Sequence, residues 1–122
     1  MNINWDSQSL SVLGFGGSVI LIVAIIMHYF PPKKINNWYG YRTGQSMTSQ
    51  ERWNFAQHYS AIMMIKCAIF MIILGLTISV SSVDKSTDII ISIPSLLLIV
   101  GFMFFKTERA ITKQFGKNKT HN

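Results

Sequence analysis

The chain has 122 residues, 49% of them hydrophobic and only 13% charged, about half the ~25% charged content of ordinary soluble domains. A mean hydropathy of +0.32, in a chain whose middle and C-terminus are plainly polar, means that the apolar residues are gathered into blocks, which excludes most soluble folds. The formal net charge of +6 would point to nucleic acid in a soluble protein; in one this apolar it reads as membrane topology, and no nucleic-acid partner is expected. The expectation is an all-α integral membrane protein with one membrane domain over residues 1–122 and three transmembrane helices.

The first block, residues 10–30, is 21 residues without a formal charge. A hydrocarbon core of about 30 Å needs about 20 helical residues, so this block is long enough to span. Pro31 and Pro32 then stop it. The leader is acidic rather than basic, and the run exceeds the roughly 7–15 residues of a signal-peptide core, so it reads as a retained span.

Residues 31–58 form a hydrophilic loop, long for one without structure or function of its own. Asn36, Asn37 and Gly40 are turn formers. Thr48-Ser49-Gln50-Glu51 reads as a capping box, with Thr48 covering a free N–H and Glu51 reaching back. A helix starting near Ser49 and running to Val80 contains the second span, residues 59–80, and its first turns extend beyond the hydrocarbon. The third span is predicted at residues 89–105, with Pro94 at its start or as a mild kink, followed by a basic tail over residues 106–122.

Charge orients these spans. Nine Lys or Arg lie in the long loop and the tail, one (Lys85) lies between the second and third spans, and none precedes the first. The positive-inside rule then puts the N-terminus outside and the C-terminus, the long loop and the extended second helix in the cytoplasm. Tyr29, Trp38, Tyr39, Tyr41, Trp53 and Tyr59 gather at the same cytoplasmic boundary, where amphipathic rings favour the headgroups. The basic tail is also suited to anionic membrane lipids.

Chemistry-bearing candidates are few. Arg42 has two readings: an ion pair to Glu51 or to Glu108 that pins the loop, or contact with a phosphate-bearing ligand. Lys66, inside the second span, either snorkels to the interface or faces a polar site between helices. His28, His58 and His121 lack metal-ligand spacing, although His28 and His58 fall at the same boundary, and no metal or cofactor is predicted. Cys67 is a lone thiol, read as packing. Glu51 and His58 share a helical face without a third group to orient them, so an enzyme is the weakest class. Gly14 and Ser18 in the first span and Gly75 and Ser79 in the second carry small residues near one end of each helix, where the two spans are expected to pack closely. Three helices alone bury little surface, which leaves a homo-oligomer open beside intrachain packing.

The segment from Pro31 through Gly40, Arg42 and Thr43, with Ser46-Met47 and then Glu51-Arg52-Trp53-Asn54-Phe55-Ala56-Gln57, resembles the SdpI/YfhL family of bacterial membrane proteins. In that family a Gly-x-Arg-Thr turn follows a span and a Trp opens the next helix; here these are Gly40, Arg42, Thr43 and, ten residues on, Trp53. The resemblance is to the C-terminal module of the family's larger immunity protein. It implies a plasma-membrane immunity protein, not an enzyme, that protects a bacterium from a secreted peptide toxin of the SDP type. It also implies, as a second partner, a cytoplasmic repressor held at the membrane. Gly40, Arg42, Thr43 and Trp53, with Lys66, are the candidate functional residues. The alternative is a small oligomeric transporter or a lipid-binding membrane scaffold.

Overall fold

The computed structural model describes residues 2–116, and within them the three apolar blocks are helical, with no strand among the described residues. The first block opens as a π-helical stretch, Leu10–Phe15, and continues as α1, Gly16–Tyr29. It ends at Phe30, because Pro31 and Pro32 have no N–H to continue the ladder. The second block lies in α2, Gln50–Ser79, and the third in α3, Lys85–Phe115. All three are long and apolar enough to cross a membrane, and Ile22, Phe70, Leu97 and Leu98 are exposed on their outer faces. This is a multi-pass membrane protein. At 30 residues α2 is about 45 Å long, more than the hydrocarbon is thick.

The ends of the helices differ from the sequence expectation in three respects. The N-cap of α2 is Ser49, not Thr48. Ser49 is the residue with extended backbone (φ −154°, ψ 159°), so its hydroxyl accepts the Arg52 N–H at 3.1 Å. The Thr48 hydroxyl donates instead to the Gln45 carbonyl at 2.9 Å. Second, α3 starts earlier than residue 89, because Asp84 caps it: the Thr87 N–H and hydroxyl donate to its carboxylate at 3.2 and 2.6 Å. Those bonds hold the Asp84 carboxyl below the usual carboxylate range. Third, residues 106–115, expected as tail, are the last turns of α3, since no breaker occurs before Gly116, where φ is +82°. Pro94 therefore lies inside α3 rather than at its start. The rest of the basic tail, with Lys117, Lys119 and His121, lies outside the described residues.

The chain packs α2 between the other two helices: α1 touches α2, α3 touches α2, and only the π-helical stretch at the N-terminal end of α1 reaches α3. At that end, where α2 turns into α3, α2 and the π-helical stretch approach to backbone contact. A Cβ on Gly75 would lie 2.8 Å from the Ser9 carbonyl oxygen and 2.9 Å from the Gly14 nitrogen. Deeper along the same contact, a Cβ on Gly17 would lie 3.0 Å from the Ala68 carbonyl oxygen. The expected close packing of the first two spans is present. On the first helix it is made by Gly17 and by the backbone of Gly14 under Gly75 rather than by a Gly14–Ser18 face, and the Ser18 hydroxyl turns back to the Gly14 carbonyl at 2.8 Å.

Asp88, read from the sequence as part of a connecting loop, is buried in the first turn of α3 with 4% of its surface exposed. Its carboxylate accepts from the Ser7 hydroxyl at 2.8 Å, the Gln8 N–H at 2.7 Å, the Ser9 N–H at 3.0 Å and the Ser9 hydroxyl. The first helix has no side-chain cap of its own at Ser9. Asp88 supplies the missing acceptors from a different helix and compensates the partial positive charge of those amides.

Gly75→Val should lower the stability of the detergent-solubilised protein by about 1–3 kcal/mol, because the added carbons meet backbone that cannot move aside. Gly101→Val, at a position where a Cβ meets nothing within 4 Å, should leave it nearly unchanged. Thermal unfolding in matched micelles compares the two.

Candidate functional site

The loop between α1 and α2 folds back on the bundle, and each turn of it is fixed by a named side chain. Gly40 has φ +110°, and a Cβ there would lie 2.5 Å from Gln57 Oε1 and 2.6 Å from Pro32 Cγ, so glycine is required on both counts. The next residue pairs with α2 through one amide side chain: Gln57 Oε1 accepts the Tyr41 N–H at 2.6 Å and Gln57 Nε2 donates to the Tyr41 carbonyl at 2.7 Å. Trp53 is fully buried under the start of the loop, and its indole N–H donates to the Pro32 carbonyl at 2.8 Å. Buried Ser46 closes the turn, accepting the Thr43 N–H at 2.8 Å and donating to the Tyr41 carbonyl at 3.1 Å.

The far side of the loop is held by α3. The Glu108 carboxylate accepts from the Tyr41 hydroxyl at 2.5 Å, the Thr43 hydroxyl at 2.8 Å and Gln45 Nε2 at 3.2 Å. Burial is the largest influence on Tyr41, followed by its bond to Glu108 and the charge of that carboxylate; together they push its phenol well above the ordinary tyrosine value. Beside this cluster, Arg52 is mostly buried and ties α2 to the end of α3. Its Nη2 donates to the Gly116 carbonyl at 2.8 Å, and its guanidinium lies 5.5 Å from the centre of the Phe115 ring. A cation at the C-terminus of α3 is favoured by the helix dipole.

Three of the sequence candidates, Gly40, Thr43 and Trp53, thus hold the loop in place. Arg42 is different. Its neighbours Tyr41 and Thr43 both turn inward, so its side chain is exposed, and it makes no ion pair with Glu51 or Glu108. Its guanidinium donates to the Asn37 carbonyl, while the Glu108 oxygens are occupied by Tyr41, Thr43 and Gln45. With Trp38, which is 90% exposed, Arg42 forms the rim of a cleft of about 350 Å³ backed by Met64, Met103 and Phe104. Lys66 is not part of this arrangement: it is exposed on α2 and lines a separate groove against α3. Tyr41 and Trp53, read as headgroup anchors, are buried loop supports instead. His28 and His58 do approach, their ring centres 6.2 Å apart, but no group of three or more metal-binding side chains occurs among the described residues.

The SdpI/YfhL protein family matches residues 33–106, a segment that contains most of this loop, all of α2 and most of α3. The chain belongs to that family. One relative, the uncharacterized protein YfhL of Bacillus subtilis (strain 168), is 46% identical over 61 residues, which is 50% of this chain. The matched stretch spans 56% of that relative's length. No solved structure matches the chain. Within the matched segment Gly40 permits the turn, Thr43 ties it to α3, and Trp53 seats it on α2.

Sequence reading did not find Tyr41, Gln57 or Arg52 as supports, and it considered Glu108 only as a partner for Arg42. One signal was available: Glu108 is the single acidic residue in the chain beyond Asp88, set among cations. A group whose acid form is favoured by folding contributes stability below its unfolded value and loses it as the pH rises. The Tyr41 contact should therefore hold at neutral pH and weaken above about pH 10, where the unfolded phenol ionises. Unfolding midpoints across pH 8–11 should fall more steeply for the native protein than for Tyr41→Phe, which has no phenol to ionise at this site.

Proposed function

We propose that this protein is an immunity factor of a bacterial plasma membrane, protecting the cell from a secreted peptide toxin of the SDP type without catalysing a reaction. Membership of the SdpI/YfhL family supports the reading. The observation that carries the site is the contrast within the loop: Gly40, Tyr41, Thr43 and Trp53 are consumed by internal contacts, whereas Arg42 and Trp38 are held outward on a rigid turn. A guanidinium beside an exposed indole offers a peptide both a carboxylate-binding fork and an apolar surface. The charge bias of its loops puts the N-terminus outside and this turn at the cytoplasmic boundary, so a toxin arriving from outside would meet it from within the bilayer, along the first two spans. The same turn is the surface available to a cytoplasmic repressor. Lys66 lies on the outside of α2, which gives a transport path through a single copy no support.

Survival of a toxin-sensitive bacterium tests this. Cells expressing the protein should withstand the peptide, and Arg42→Ala at the same membrane level should lose at least about tenfold in protective concentration, the loss of one charge-assisted contact. Full protection by Arg42→Ala would remove the turn from the toxin site, and no protection by the native chain would remove the immunity reading.

A further inference from the structure

Two grooves lie end to end along the seam between α2 and α3. The first, of about 820 Å³, is lined by apolar side chains such as Met63, Phe70 and Phe102, and Lys66 is its one charged group. Gly101 opens it further, since a Cβ there would meet nothing within 4 Å. The second, of about 580 Å³, lies toward the loop end, where Phe55 and Tyr59 of α2 face Lys106, Arg109 and Lys113 of α3. No acidic residue lines either groove. Glu108, the nearest carboxylate in sequence, is directed to the opposite side by Tyr41, Thr43 and Gln45.

The two grooves share one face. Tyr59, Met63, Lys66 and Phe70 follow each other at steps of four, three and four along α2, as do Phe102, Lys106, Arg109 and Lys113 along α3. That spacing is a single helical stripe. From Tyr59 to Phe70 it covers about 16 Å, close to the ~15 Å of hydrocarbon in one leaflet. Apart from Lys66, the seam is therefore apolar below Tyr59 and cationic at its level.

We infer that this seam is a binding site for an anionic phospholipid. An acyl chain fills the apolar groove, and the phosphate sits among Lys106, Arg109 and Lys113. Lys66 extends its stem toward the same headgroup from below. The stacked rings of Phe55 and Tyr59, 5.8 Å apart, form the floor at the headgroup level. Arg109 supplies a planar fork for phosphate oxygens, and the two lysines supply point charges. The site is separate from the Arg42 turn and stands whether or not that turn binds a toxin.

Native mass spectrometry of the purified full chain tests this, with phosphatidylglycerol and phosphatidylcholine of identical acyl chains added at equal amounts. The native protein should retain phosphatidylglycerol in preference by on the order of tenfold. Lys106→Gln/Arg109→Gln/Lys113→Gln should lose the preference, whereas Lys33→Gln/Lys34→Gln/Lys85→Gln, which removes as many charges elsewhere, should keep it. Gly101→Phe, which fills the groove without touching a charge, should reduce retention of both lipids. The soluble headgroup glycerophosphoglycerol should not compete. Equal retention of the two lipids by the native protein, undiminished preference in the α3 triple variant, or competition by the free headgroup would overturn the site. So would a lipid-free dimer that Gly101→Phe disrupts, since a second copy would then be the occupant.

Discussion

Hydrocarbon is as apolar as the side chains that face it, so bringing two apolar helices together in a bilayer gains little beyond close packing. What distinguishes one arrangement from another is where the polar groups find partners, and in this chain α3 carries a buried or loop-facing carboxylate near each end. Asp88 receives the first amides and hydroxyls of the N-terminal helix, and Glu108 receives Tyr41, Thr43 and Gln45 from the long loop. The two are twenty residues apart on one helix, about 30 Å, which matches the thickness of the hydrocarbon. That separation lets both lie at the edges of the hydrocarbon at once, where a carboxylate costs least and a backbone N–H most needs an acceptor. Two of the chain's five acidic residues carry this duty.

With both ends tied to α3, α2 is held as the middle helix, and its own contacts are short. Glycines at 17 and 75 let backbone approach backbone on the α1 side, with Leu13, Met71 and Ile72 packed around the two contacts. At the loop end, burial and hydrogen bonding act together on Trp53 and Tyr41. The loop is consequently a rigid part of the fold. A hydrogen-bonded turn that commits its neighbours inward leaves Arg42 directed outward, which is what the proposed recognition role requires of it.

Much of this was legible in the sequence. Uncharged blocks of spanning length, two prolines after the first and small residues at one end of the first two announced the helices and their closest contact. The Gly-x-Arg-Thr turn and the later Trp carried the family. The carboxylate contacts were not legible, for a physical reason. Asp88 looks like loop until Asp84 is recognised as a cap that starts α3 earlier, and nothing near Asp88 in sequence reveals partners 79 to 81 residues away. Glu108 sits in a basic run whose helical continuation depends only on the lack of a breaker before Gly116. The arginines were only partly legible: pinning the loop through Glu51 or Glu108 was one of two readings of Arg42, but Arg52 makes the more extensive contacts.

Amide hydrogen exchange on the protein in lipid nanodiscs, comparing the native chain with Asp88→Ala and Glu108→Ala, tests the central claim most directly. The account predicts that Asp88→Ala speeds exchange at residues 7–14 and leaves the long loop protected. Glu108→Ala should do the reverse, exposing residues 39–47 while the N-terminal helix stays protected. Unchanged protection in both variants, or loss spread evenly over both ends in each, would contradict the view that these two carboxylates hold the two ends of the bundle.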